Sequence, residues 1–410
     1  MDSSGYGQSG IRVKDFNLCI IFSYLTIEKY VTIMYVSTMA YNKVLIIRLS
    51  AVGDVIRTLP AVKALKEHDP SSRVSWVVEE PSESLLKSQP EIDEVIVVPR
   101  KRWTKGIKSP IRTWGTLSEV FRFIRDLRRR RFDIVLDFHG LLKSGLLSYL
   151  SGAPKRVGFD RRWSKEGNSL FSNVRVTLPE EKIKKINRFE QNFALLRGIG
   201  LKVKEVKTGL HVPSEDREYI DSFFRNLGSS MKKPLIAIHP GTSQKTRYKR
   251  WMPDRYAQLS DRLIRDLGAA VLFTWGPDEL DWVKEIQKEM IRPSLLGPRT
   301  HSLTQLGEVF RRCDLYVGGD TGPMHIASLM GVPVVAIFGP TYPTVNTPLG
   351  RHKMIRKEVG CNPCRNRSCE DLRCLKAATV DDVFQAAREL LLETFAGDVN
   401  ENRDSAHVVH

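Results

Sequence analysis

Asp314-Leu-Tyr-Val-Gly-Gly-Asp-Thr-Gly-Pro-Met-His325-Ile-Ala-Ser-Leu-Met-Gly-Val-Pro-Val334 decides the fold. Its opening run, 314–317, reads as a strand buried on both faces. Glycines, an acid, a hydroxyl and Pro323 then lead into a helix over 324–330, and Gly331-Val-Pro333 stops it before the next apolar run at 334–338. Strand, helix and strand in so short a span form one right-handed crossover of a parallel sheet. Ligands of such sheets bind beyond the carboxyl ends of the strands, so the turn faces a cleft. The Thr321 and Gly322 amides and the positive end of the helix converge there, and hold a diphosphate without a metal. His325, one turn into the helix, either donates to a phosphate oxygen or holds Asp320; a purely structural histidine is the alternative.

The same rhythm extends in both directions. Strand-like runs at 235–238 and 271–274 alternate with helical stretches over 254–266, 279–289 and 303–311. Towards the amino terminus, strands at 44–48, 74–78, 95–98 and 134–138 alternate with helices over 54–67 and 117–129. The fold class is therefore α/β, as two doubly wound halves. Residues 1–41 read as a leader outside the fold, with Met34 or Met39 as the real start. Residues 42–205 form one Rossmann-like domain and 206–233 a polar connection with a short helix over 214–226. Residues 234–380 form the second domain, 381–399 a terminal helix and 400–410 a frayed polar tail.

The chain's 410 residues exceed one ordinary core and suit two. Apolar residues at 41% and charged residues at 27% exclude collagen-like, disordered and disulfide-scaffold classes. A net charge of +17 attracts polyanions, whether nucleic acid, anionic lipid or phosphorylated small molecules. The excess is local, with 19 Lys/Arg against 6 Asp/Glu between 100 and 175. The run Arg128–Arg131 is most simply a solvated helix end. No run of 18 uninterrupted apolar residues occurs. Cys361, Cys364, Cys369 and Cys374 leave three readings open: a structural Zn²⁺ knot, reduced thiols, or disulfides.

Three further turns carry chemistry. Ser50-Ala-Val-Gly-Asp54 joins the first strand to the first helix, so Asp54 is either a helix cap or a general base at the cleft mouth. The turn matches neither G-x-G-x-x-G nor the P-loop, which counts against a nicotinamide enzyme. His239-Pro-Gly-Thr-Ser-Gln-Lys-Thr-Arg-Tyr-Lys-Arg-Trp251 follows the first strand of the second half. Thr242 and Ser243 suit a phosphate, and Lys245, Arg247, Lys249 and Arg250 bring charge; a plain basic surface is the alternative. Glu279, after Trp275-Gly-Pro-Asp278, is a carboxylate suited to sugar hydroxyls. No Asp-x-Asp occurs, so amides and lysines must carry leaving-group charge that a carboxylate-held Mg²⁺ would otherwise carry.

Together, Ser-Ala-Val-Gly-Asp, His-Pro-Gly-Thr…Lys-Arg-Trp and Gly-Gly-Asp-Thr-Gly-Pro-Met-His with the following Phe-Gly-Pro-Thr resemble the ADP-heptose:lipopolysaccharide heptosyltransferases, glycosyltransferase family 9. Asp137-Phe-His-Gly-Leu-Leu-Lys-Ser144 and Gly158-Phe-Asp-Arg-Arg-Trp-Ser-Lys-Glu166 resemble the heptosyltransferase I subtype. The resemblance implies a GT-B fold of two Rossmann-like domains and an inverting, metal-independent transfer of heptose from ADP-heptose to Kdo-lipid A, with no cofactor required. It implies Asp54 as base, Lys249 on the diphosphate, Asp320, Thr321, Gly322 and His325 as the donor loop, and Glu279 on the adenosine ribose. Lys143, with Lys101, Arg102 and Lys165, would meet the acceptor. It also implies a cytoplasmic enzyme, peripheral on the anionic inner-membrane face, with no nucleic-acid partner. Heptosyltransferase II or another nucleotide-sugar GT-B transferase, and a basic nucleic-acid-binding α/β protein, are the competing readings.

Overall fold

The computed structural model describes residues 41–109, 111–179, 181, 185–203, 209–228, 233–364 and 366–406. The expected leader, apart from residue 41, and the end of the expected tail lie outside the described residues.

Each half builds a six-stranded sheet. The first contains β1 (Lys43–Ile47), β2 (Arg73–Glu79), β3 (Glu94–Val98), β4 (Ile134–Asp137), β5 (Lys155–Phe159) and β6 (Val174–Val176). The second contains β7 (Leu235–His239), β8 (Ala270–Phe273), β9 (Leu295–Leu296), β10 (Leu315–Gly319), β11 (Val334–Ile337) and β12 (His352–Ile355). The spatial orders are β3-β2-β1-β4-β5-β6 and β12-β11-β10-β7-β8-β9. These are one topology used twice, and every pairing is parallel. Val44–Ile47 and Leu315–Val317 are wholly buried, as covering both faces of a parallel sheet requires. In each sheet the strand order reverses between the first and fourth strands, which opens a crevice at the carboxyl ends of β1 and β4 and of β7 and β10.

Several elements differ from the sequence expectation. The helix expected over 54–67 is two, Val52–Ile56 and Leu59–His68, because Pro60 has no N–H to continue the first and sits well in the first turn of the second. The helix of the connection, Ser214–Leu227, is docked on the second half. Its Asp216 accepts hydrogen bonds from Ser302, Thr304 and Gln305, so this stretch belongs to that domain's surface. The terminal helix runs Val380–Ala406, through most of the expected tail. Residues of both halves join one buried apolar cluster, with Val55, Ile56 and Phe189 on one side and Leu306, Met324 and Ile326 on the other.

Candidate active site

The two crevices face each other and merge into one cavity of about 630 Å³. Its walls include Gly53, Asp54 and Arg57 from the first half and Thr242, Lys249, Glu279, Asp320, Thr321, Gly322 and His325 from the second. The helices Val52–Ile56 and Gly322–Leu329 touch across it through Gly53 and Gly322. A Cβ added at Gly53 would stand 3.6 Å from Gly322 Cα, so both glycines permit the two amino termini to approach. Two sets of free N–H groups therefore point into one space.

Asp54 lies in the first turn of its helix but does not act as its cap; Ala51 holds that position. Its carboxylate lies between two guanidiniums, with Arg48 Nη2 at 2.9 Å and Arg57 Nη2 at 2.5 Å. Burial alone would push its pKa up, but the charges of Arg48, Arg57 and Arg188 outweigh that and hold it far below the carboxylate range. Arg48 itself donates to the Phe138 carbonyl, which ties the clamp to the turn after β4. That turn is anchored by buried Asp137, which accepts from the His139 and Gly140 amides, Ser144 and Asn168. His139 sits in the same turn; burial and the Arg48 and Lys143 charges push its pKa down to about 3, so it is neutral.

On the opposite wall Lys249 Nζ lies 2.8 Å from Asp320 Oδ2 and 3.2 Å from the Asp320 carbonyl. Burial would raise the Asp320 pKa, yet Lys249 keeps it low, so the pair is charged. Asn346 donates to the same Asp320 oxygen at 3.0 Å and accepts from Arg57 Nη1 at 2.7 Å. A continuous polar chain thus runs Asp54–Arg57–Asn346–Asp320–Lys249 across the domain boundary. His325 is buried, edge-on to Phe189 with ring centroids 5.9 Å apart, and its Nδ1 has no partner. Burial and the nearby Arg57 charge push its pKa down to about 3, so it too is neutral. Glu279 Oε2 accepts from the Gly276 amide at 2.8 Å and lies 3.3 Å from His239 Nε2. Gly241 must be glycine for it to fit, since a Cβ there would stand 2.2 Å from the carboxylate.

The structure therefore brings together Asp54, Thr242, Ser243, Lys249, Glu279, Asp320, Thr321, Gly322 and His325. Thr242 accepts from buried Arg250, and Ser243 bonds Thr246 at 2.9 Å. The expected acceptor residues do not line this cavity. Lys143 pairs with Glu79 at 2.9 Å, at the end of β2. Lys101 and Arg102 lie on the exposed helix Arg100–Ile107, where Arg102 pairs with Glu119 at 3.0 Å, and Lys165 is exposed on the loop after β5. Arg48, Arg57, Asn346, His139 and His239 were not singled out from the sequence. An arginine three residues after Asp54 on one helix was a readable signal for Arg57; Asn346, 289 residues further on, carried none.

All four clustered cysteines are unbridged, with Cys361 and Cys364 exposed and Cys374 buried. Cys374 and Leu375 pack against Gly339, where an added Cβ would stand 3.1 Å from the Cys374 sulfur. Among the described residues no group of three or more His, Cys, Asp or Glu side chains is arranged to hold a metal ion. No helix there is long and apolar enough to cross a membrane.

The model of glycosyltransferase family 9 (heptosyltransferase) matches residues 120–374. The lipopolysaccharide core heptosyltransferase OpsX of Haemophilus influenzae is 28% identical over 304 residues, 73% of this chain and 80% of its own. Lipopolysaccharide heptosyltransferase 1 of Pseudomonas aeruginosa is 28% identical over 331 residues, 80% of this chain and 87% of its own. The solved structure of E. coli heptosyltransferase WaaC with ADP superposes with a TM-score of 0.65 at 23% identity, covering 85% of this chain and 99% of that one.

Proposed function

The chain belongs to glycosyltransferase family 9, the heptosyltransferases, and from that premise we propose that it moves L-glycero-D-manno-heptose from ADP-heptose to Kdo-lipid A, on the cytoplasmic face of an anionic membrane. The names of its relatives support the transferred sugar and the pathway, and the E. coli heptosyltransferase solved with ADP and with ADP-2-deoxy-2-fluoro heptose supports the nucleotide. The observation that carries the reading is the Gly53–Gly322 approach. It sets a carboxylate and a cationic, amide-lined pocket on facing walls of one cavity.

In this reading the acceptor oxygen bonds to the anomeric carbon from the face opposite ADP, the bond to the diphosphate oxygen breaks, and the acceptor proton passes to Asp54, inverting the centre. A carboxylate held this acidic is a weak base towards a free alcohol. It suffices once the oxygen has begun to bond to an oxocarbenium-like carbon and its proton has become acidic. Lys249 and the Thr321–Gly322 amides meet negative charge where it develops, without calling on a metal. Glu279 holds a ribose hydroxyl, and Thr242 and Ser243 contact the phosphates. Lys143, at the rim, meets the acceptor. Asp320 keeps Lys249 extended until the diphosphate arrives. The cysteines act as reduced thiols, Cys374 as packing for the Phe338-Gly-Pro turn.

Incubation with ADP-heptose and Kdo-lipid A, with and without EDTA, tests this. Release of ADP with a mass gain of one heptose under both conditions is expected. Absence of transfer overturns the reading, and loss of transfer in EDTA overturns its metal-independent part.

A further inference from the structure

Between β3 and β4 the chain folds into a helical hairpin, Arg100–Ile107 followed by Thr113–Arg129. The two helices are locked together: Gly106 backs directly onto Thr116, and Trp103 stacks edge-on to Phe123 with centroids 5.3 Å apart. The second helix carries two separate apolar stripes. Thr116, Val120, Phe123 and Leu127 turn inward, with Thr116 buried and Leu127 fully so. Trp114, Leu117 and Phe121, spaced i, i+3 and i+7, form a second stripe about a third of a turn away. They stand 82%, 45% and 69% exposed, and Ile111 at the hairpin tip 95%.

The charge around this stripe identifies what covers it. Residues 100–131 carry twelve Lys/Arg and two acids. By helical spacing Arg122, Arg125, Arg128 and Arg129 continue the outer face past Phe121, so an apolar end is followed by a basic one. A second copy of this chain would set one such cationic face against another, which repulsion opposes. An anionic bilayer matches both parts, with apolar side chains in the acyl boundary and arginines at the headgroups. Each cation near such a surface adds to the attraction.

The geometry also gives a direction. A crossover helix runs antiparallel to its strands, so the apolar end lies at the carboxyl edge of the sheet, where the cavity opens. Glu79 fixes the root of the hairpin to that rim by pairing with both Arg100 and Lys143. We infer that the outer stripe Ile111, Trp114, Leu117 and Phe121, with the arginines that follow, is a bilayer-docking face that brings an anionic membrane to the acceptor side of the cavity. This deepens the proposed function, since it rests on the acceptor being a lipid.

The test is sedimentation of the full chain with phosphatidylglycerol–phosphatidylethanolamine vesicles and with phosphatidylcholine vesicles, with donor and acceptor both absent. Retention on the anionic vesicles, weakened at least tenfold by high salt, is expected. The double substitution Trp114→Glu/Phe121→Glu should lower that affinity at least tenfold and leave transfer to a soluble, delipidated acceptor unchanged. Should that pair disturb folding, Arg122→Gln/Arg125→Gln provides a milder reading, with a smaller salt dependence expected. Equal retention of variants and parent, equal affinity for both vesicle types, or a dimer that the apolar pair dissociates would each overturn the docking face. The soluble-acceptor assay reads the transferase separately. A parent that binds vesicles without transferring heptose sinks the transferase reading alone, and one that transfers but never binds sinks the docking face alone.

Discussion

The two halves use one sheet order, and each places an acid just past a strand at its crevice, yet the two acids have become different tools. Asp54 lies between two arginines with 27% of its side chain still exposed, whereas Asp320 is bound by Lys249 and Asn346 with 7% exposed. Both ionise below the usual range, for the same reason: neighbouring cations overcome the cost of burial. Charge state therefore does not tell them apart; access does. Only Asp54 has an open oxygen edge for an incoming hydroxyl, and Asp320 spends its lone pairs holding a lysine.

The comparison breaks most visibly at Asp54. General-base assistance is typically worth ~10²–10⁴-fold, so Asp54→Asn should cut kcat by that much while leaving ADP affinity nearly unchanged, measured by steady-state kinetics and calorimetry. Comparable turnover would move the base elsewhere. The arginine clamp adds a pH signature. A carboxylate with a depressed folded pKa stays ionised down through the acid range. Its stabilising contribution is present above the ordinary aspartate value and fades only as pH falls towards the folded one. The rate should therefore show no acid limb from Asp54 near pH 4–5. Arg48→Gln, removing one guanidinium, should raise that pKa and bring such a limb into view. Neither His139 nor His325 should add an inflection near pH 6.5, since both are held neutral with values down to about 3.

Asp320's cation is the next test. Hydrogen bonds to charged groups contribute about 1.5–3 kcal/mol, so Lys249→Ala should weaken ADP binding and turnover together, each by roughly ten- to a hundredfold. An unchanged ADP affinity would leave Lys249 as nothing more than the partner of a buried carboxylate.

Much of this contrast was visible in the sequence, and the remainder depended on distance. Buried parallel strands announce themselves as apolar runs, which is why β1, β2, β7, β8, β10 and β11 were readable within a residue or two. The edge strands β6 (Val-Arg-Val) and β12 (His-Lys-Met-Ile) are short and mixed, and carry no such pattern. Both loop acids were legible because glycines and helix starts surround them. Their partners were less so: Arg48 closes an apolar strand and looks like its solvated end, although it grips a residue six positions on. The basic segment after residue 100 was legible as charge but not as shape. Lys101 and Arg102 proved to belong to an exposed hairpin outside the cavity.

The smallest effect tests whether the two walls act together. Asn346 is nearly buried at the domain boundary, accepts from Arg57 at 2.7 Å and donates to Asp320 at 3.0 Å, so it touches the clamp of one acid and the other acid itself. Asn346→Ala removes an uncharged side chain, and both of its charged partners keep a counter-ion, so the expected loss is only severalfold. How that loss divides is informative. Arg57 would keep its grip on Asp54 at 2.5 Å and Lys249 its grip on Asp320 at 2.8 Å, so ADP affinity should hold. The fall should appear in kcat, because the alignment of base and leaving-group pocket across the cavity is lost. A fall confined to ADP affinity would instead mean that Asn346 serves the donor wall alone and that the two carboxylates work independently.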